Sequence, residues 1–214
     1  SSEDFEMVLA NLRKVEHVES DGELSLKAME AAVIEFECIT TNDVPDTLEE
    51  QLTASIIAVW DSWDTPRAKH YRKMKGYPET WGTAVNIQMM VFGNMNSNSG
   101  SGVLFTRNPS TGDNDLMYGD FLVDAQGEEV VAGIRDTQPI VEMKDWNAEI
   151  YEQLGQLATK LEGHYMDMQD IEFTIQDGIL FALQTRTGKR SSAAAFKIAS
   201  DLATEGIIKK RRYS

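Results

Sequence analysis

The chain has 214 residues, 42% of them apolar and 26% charged, with a formal net charge of −15. That is enough for one large domain or two small ones of ordinary globular composition. The charge argues against a nucleic-acid partner, whose phosphate backbone it would repel, but allows a small phosphate ligand held by local donors and a cation.

A lone cysteine, Cys38, rules out an internal disulfide framework and fits a reducing compartment. No apolar run reaches membrane-spanning length, and no signal-peptide pattern opens the sequence. The sequence starts at Ser1 inside a helical pattern and reads as a fragment of something larger.

Helical spacing of Phe5, Val8, Leu9 and Leu12 predicts a first helix, and Leu24 to Phe36 a second after the break at Asp21-Gly22. A loop follows from Thr40 to Pro45, with a turn at Asn42-Asp43. Leu48 to Trp63 predicts a third helix, with an apolar stripe of Leu52, Ile56, Ile57, Val59, Trp60 and Trp63. A fourth opens at Pro66, capped by Asp64 or Thr65, and runs to about Lys75.

Beyond Tyr77-Pro78 the pattern turns to strands: Ala84 to Phe92, Val103 to Thr106, Gly119 to Gln126, and Glu128 to Gly133 as a partner strand. A polar linker, Gly93 to Gly102, and a turn, Asn108 to Gly112, separate them. Trp146 to Gly163 predicts a helix, and a last one from Ser191 to Lys210 ends in the basic run Lys209 to Arg212. The expected class is α+β, helices around an antiparallel or mixed sheet. The expected regions are a helical segment at 1–75, a β-rich lobe at 76–190, and a C-terminal helix with a basic tail at 191–214.

Between the last two helices, Asp170 to Arg186 predicts a β-hairpin. Pairing Ile175 with Ile179, Phe173 with Phe181 and Ile171 with Leu183 gathers six apolar side chains on one face, around a three-residue loop, Gln176-Asp177-Gly178. Asp170, Glu172 and Thr174 then share the other face with Gln184 and Arg186. That face reads either as a site for a divalent cation and a polyphosphate or as an ordinary solvated surface.

Other constellations are weaker. Gly188-Lys189 lacks the upstream glycine of a phosphate-binding P-loop, and Arg190 separates Lys189 from Ser191. The linker from Asn94 to Gly102 could wrap a phosphate, although its composition favours a flexible loop. His17 and His70 sit among charged neighbours on helices, and His164 follows what reads as a helix-ending glycine. Asp124, Glu128, Glu129, Asp170 and Glu172 are the candidate magnesium ligands, since that hard ion prefers carboxylate and phosphate oxygen.

Four segments, taken together in order, carry a resemblance. They are WGTAVNIQMMVFGN (Trp81–Asn94), SGSGVLFTRNPSTG (Ser99–Gly112), GDFLVDAQGEEVVAGIRDTQPI (Gly119–Ile140) and DIEFTIQDGILFALQTRTGKR (Asp170–Arg190). The upstream SWDTPRAKHYR (Ser62–Arg72) and the last helix extend the match. The chain resembles the pyruvate, phosphate dikinase family in its N-terminal nucleotide-binding region of ATP-grasp type.

The resemblance implies conversion of ATP, phosphate and pyruvate to AMP, pyrophosphate and phosphoenolpyruvate. It implies transfer of the β-phosphoryl of ATP to a histidine on a swivelling domain, which delivers it to pyruvate on a barrel domain. It implies that Glu172 and Gln184 contact Mg²⁺ and the triphosphate and that Arg186 is the catalytic phosphate-binding arginine. Glu128 is implied as a further acidic residue of the site, Gln88, Met89, Met90 and Val91 as the adenine-binding hinge, and Ser101 as a phosphate neighbour.

The phosphate-accepting histidine motif, the opposite ATP-grasp lobe and the barrel are missing from the sequence, so half an ATP site, inactive alone, is expected. A phosphoenolpyruvate synthase and a non-catalytic interaction module are the alternatives. A cytoplasmic protein, or a plastid one in a plant, is expected, with a homodimeric full-length enzyme and no nucleic-acid or membrane partner.

Overall fold

The structure, a computed structural model, describes residues 2–40, 44–115, 117–133 and 135–209. The expected turn at Asn42-Asp43 and the basic run beyond Lys209 lie outside the described residues. The chain divides between Gln88 and Met89 into two compact units.

Among its described residues the first unit holds four α-helices, α1 (Ser2–Glu16), α2 (Leu26–Thr40), α3 (Leu48–Ser62) and α4 (Pro66–Lys75). Phe5 of α1 meets Phe36 of α2 edge-on at 5.0 Å, and buried Ala28 and Ala32 keep the α2 surface low. The termini follow from local chemistry. Thr47 and Thr65 accept the backbone N–H groups of Glu50 and Ala68, Pro66 opens α4, and Gly76 closes it at φ 69°. The Arg72 guanidinium lies 4.1 Å from the centre of the Trp63 ring and pairs with Glu79 at 2.6 Å.

The second unit is a five-stranded antiparallel sheet in the order β3-β2-β1-β4-β5. The strands are β1 (Gly100–Phe105), β2 (Tyr118–Val123), β3 (Gln138–Pro139), β4 (Gln169–Gln176) and β5 (Ile179–Thr187), and the helices α5 (Gly127–Ala132), α6 (Met143–Trp146), α7 (Ala148–Tyr165) and α8 (Ser192–Thr204). Ile150, Leu154 and Ala158 of α7 pack against Leu104, Phe121, Ile171, Phe173 and Ile175 and cover one face of the sheet. Each large side chain buried there contributes roughly 1.5–3 kcal/mol. Gly102 lets β1 run between its neighbours, because a Cβ there would lie 2.4 Å from the Phe173 ring and 2.7 Å from the Asp120 carbonyl.

The α+β class is as expected; four local expectations are corrected. First, Ala84 to Phe92 forms no strand, because among the described residues no neighbouring strand pairs with it. Second, Glu128 to Gly133 belongs to helix α5. The Gln126–Glu129 capping box starts that helix and Gly133, at φ 65°, ends it, which overrides the β-branched Val130-Val131 pair. Third, Gly163 does not end α7, which runs on to a left-handed cap at Met166 and carries His164 in its last turn.

The fourth correction is the hairpin register. Its loop is the two-residue Asp177-Gly178, with φ of 48° and 78°, so Ile175 faces Leu180 and Thr174 faces Phe181. A β-bulge then leaves Leu183 as an extra residue, Phe173 pairing with Ala182 but Glu172 with Gln184. The two one-residue departures add, so Asp170, Glu172, Gln184 and Arg186 still share a face.

Candidate functional site

The register shows which side chains stand on the sheet face away from α7. Ser101, Val103 and Phe105 of β1 are paired with Thr174, Glu172 and Asp170 of β4, and the last two with Gln184 and Arg186 of β5. Directly opposed residues project to the same side. This face is covered at its two ends. Near one, Ala125 and Val130 pack on Leu122 and Val103; near the other, Ala194, Ile198 and Leu202 of α8 pack around Met168 and Phe105. Between these covers lie the four polar side chains.

Arg186 Nε donates to Asp170 Oδ2 at 2.7 Å, and its Nη2 lies 3.5 Å from Glu172 Oε1. The hydrogen bond to Asp170 and then its charge raise the Arg186 pKa against desolvation, with the Glu172 charge adding to the rise. The guanidinium stays charged, half-exposed, above a carboxylate that is 7% exposed. Asp170 Oδ1 is buried and accepts no hydrogen bond from any described residue. A buried carboxylate oxygen without a donor is costly, and a cation or a ligand group removes the cost. Among the described residues no group of three or more His, Cys, Asp or Glu is placed to hold a metal. A magnesium ion here would therefore take few protein ligands and rely on phosphate and water, which suits that ion.

Glu172 is partly exposed, Gln184 exposed, and Glu128 exposed in the first turn of α5. Its neighbour Glu129 is occupied, accepting from Gln126 N–H at 2.8 Å and lying 3.3 Å from Arg135. Ser101 is fully buried, its hydroxyl 3.1 Å from that of Thr174, and so lies under the face. Gln88, Met89 and Met90 are exposed and Val91 is buried. The N–H of Phe92 reaches Gln176 Oε1 at 2.7 Å, which ties the end of the expected hinge to the tip of β4. His17, His70 and His164 are all exposed.

The Asn- and Ser-rich linker spends its polar groups within the fold. Its Gly93 and Ser99 carbonyls accept from Ala125 and Asp124, and its Asn98 carbonyl and Ser99 hydroxyl accept from Gly178 and Asp177. It pins the hairpin turn to the end of β2. The 108–112 turn has a comparable role: Pro109 and Ser110 carbonyls accept from the Ser191 N–H and hydroxyl, fixing the start of α8. Arg190 is held by Asp167 through two 2.6 Å contacts.

A cleft of about 1040 Å³ lies elsewhere, along α7 beside Tyr151, Thr159 and Glu162. The polar face is marked by its chemistry, the Asp170–Arg186 pair and the open Asp170 oxygen. Sequence reasoning placed Asp170 on this polar face and among five candidate magnesium ligands, but not among the site residues the family resemblance implied; its spacing of two from Glu172 was the available signal.

Comparison with known proteins bears on this geometry. The family model for "Pyruvate phosphate dikinase, AMP/ATP-binding domain" matches residues 44–153 and 140–206. The chain belongs to this family. It is 46% identical over 209 residues to a pyruvate, phosphate dikinase of Clostridium symbiosum, covering 95% of this chain and 24% of that protein. It is 44% identical over 211 residues to pyruvate, phosphate dikinase 2 of Zea mays, covering 97% and 24%. To the chloroplastic pyruvate, phosphate dikinase 1 of Oryza sativa subsp. japonica it is 44% identical, covering 97% and 22%. The chain thus spans about a quarter of the length of these relatives. Membership favours the dikinase over the synthase and the interaction module, and fits the ATP-grasp-like architecture. Among the described residues no helix is long and apolar enough to cross a membrane.

Proposed function

We propose that this chain forms one wall of the ATP site of a pyruvate, phosphate dikinase. In that reaction the β-phosphoryl of ATP ends on a histidine of a separate domain and AMP leaves, the γ-phosphoryl joins phosphate as pyrophosphate, and the histidine's phosphoryl then passes to pyruvate to give phosphoenolpyruvate. The observation that carries the reading is the Asp170–Glu172–Gln184–Arg186 row, with its guanidinium held between two carboxylates and one buried oxygen left open.

Phosphoryl transfer asks the protein mainly for positioning and charge stabilisation. Arg186 is charged, fixed by Asp170 and exposed, and would hold the phosphoryl oxygens as charge shifts among them. Glu172 and Gln184, with the open oxygen of Asp170, would hold Mg²⁺. Bound there, the ion would neutralise polyphosphate charge. Glu128 and Ser101 are proposed around the polyphosphate, and the backbone of Gln88 to Val91 at adenine. The swivelling histidine domain and the barrel of the full-length protein complete the reaction. A homodimer, in the cytoplasm or in a plastid if the source is a plant, completes the proposal.

The test is ATP-driven phosphorylation of the acceptor histidine in the full-length protein. Glu172→Ala and Arg186→Ala are each expected to lower its rate by roughly 10²-fold or more. Unchanged phosphorylation in both variants overturns the assignment.

A further inference from the structure

The bulge at Leu183 does more than restore a register. Along a regular hairpin, residues two apart on β5 would keep to one face, so Gln184 and Arg186 would be joined there by Ala182 and Leu180. The extra residue breaks that rule. Beyond it Phe181 is paired with Thr174 and Ile179 with Gln176, on the face that carries Glu172, Gln184 and Arg186. Leu180 goes instead to the core beneath α7, a core that includes neither Phe181 nor Ile179. The open face is therefore divided along its strands, cationic and acidic at the α8 end and apolar at the hairpin tip.

A second observation falls at the same end. The Phe92 N–H is bonded to Gln176 Oε1, and Gln176 is the residue paired with Ile179. The segment ending at Phe92 thus reaches the face at its apolar half. Thr174, opposite Phe181, stands two residues from Glu172, a separation of about 7 Å along a strand. A ligand with a flat apolar group joined through a short polar spacer to a chain of phosphates matches this order.

From this division, and resting on the reading of the polar half as a triphosphate site, we infer that Phe181 is the stacking platform for the nucleobase, set in place by the Leu183 bulge. Its contribution is contact area and stacking, which any base can use. Discrimination among bases is left to backbone groups of the segment before Phe92.

The experiment compares Mg-ATP with Mg-tripolyphosphate, which lacks base and sugar, by calorimetry on the full-length protein. Phe181→Ala is expected to weaken ATP roughly ten-fold and to leave tripolyphosphate affinity at the parent value. Phe181→Trp is expected to retain ATP binding, with the added indole fluorescence quenched by ATP and not by tripolyphosphate. Equal loss of both ligands in Phe181→Ala, or indole fluorescence indifferent to ATP, overturns the platform. Arg186→Ala separates this from the parent reading: it should weaken both ligands. If it weakens neither, the triphosphate assignment fails, and the inference about Phe181 falls with it.

Discussion

Arg186 holds one oxygen of Asp170 at 2.7 Å and leaves the other, which is buried, without a donor among the described residues. Arginine can do this because its fork offers separate donors to Asp170 and Glu172 while its outer edge faces solvent. The pair is an arrangement still short of one positive or donating group, and that shortage leads to the first prediction.

Asp170→Asn keeps the size of the side chain and removes its charge. Mg²⁺ affinity in the presence of ATP should fall by about 10–100-fold, as for other groups that support a metal. Chelating the metal from the parent should weaken ATP to a similar degree. Calorimetric titration of ATP over a range of Mg²⁺ concentrations checks both, and parent-like Mg²⁺ dependence in Asp170→Asn would exclude the carboxylate from the ion's surroundings.

Arg107, at the end of β1, is fully buried, with Glu162 of α7 and Glu205 beyond α8 each at 2.6 Å. Burial works against its charge, but hydrogen bonds and charges from both glutamates outweigh this and raise its pKa. Glu162→Ala strips the buried partner and should cost about 3–5 kcal/mol, because it leaves a buried charge poorly compensated. Glu205 is 38% exposed, so Glu205→Ala should cost distinctly less. Urea unfolding of the two variants gives the order; equal costs would contradict it.

The Asp167–Arg190 pair fixes the turn between β5 and α8. The Arg190 hydrogen bonds hold the Asp167 carboxyl below its ordinary 3.8, against partial burial. A carboxylate depressed in the folded state adds stability that is complete above the unfolded value and is lost as pH falls through the folded one. The parent should therefore lose stability on acidification below about pH 5 more steeply than Arg190→Ala, in which this carboxyl no longer has its partner. Unfolding free energies measured along an acid series check the slope, and parallel slopes would refute the link.

Gly178 adopts φ +78° in the hairpin turn, and a Cβ there would also come within 2.8 Å of Asn98 Nδ2. Gly178→Ala should destabilise the chain by about 1–2 kcal/mol, the cost of left-handed backbone for an L-residue. Because the linker from Gly93 binds this turn, amide exchange should quicken at Asp177 and Ala125 together. Faster exchange at the turn alone would show that the linker does not couple them.

The expectations that held rest on short-range chemistry. Thr65 and Pro66 start α4 and Gly76 ends it through atoms a few residues apart, and Asn108 folds its own turn by accepting from Ser110 and Thr111. The alternation in Asp170 to Arg186 likewise assigned the polar four to one face, since that depends on a period of two along each strand. Where the local signals conflicted, as between Val130-Val131 and the caps around them, the caps prevailed.

What tertiary structure alone decided is of another kind. A strand exists through its partner's hydrogen bonds, so apolar Ala84 to Phe92 carries a strand's composition without forming one. The Leu183 bulge depends on meeting two registers at once, that of the Asp177-Gly178 turn and that of the core under α7, and no single segment encodes both. The setting of Asp170 depends on chain far from it in sequence, since it is paired with Phe105 of β1 on one side and Arg186 of β5 on the other. Sequence by itself determined which residues this face could use and the family they belong to. Only long-range packing decided that one carboxylate oxygen is left open, and that Phe181 stands on the same face nearer the hairpin tip.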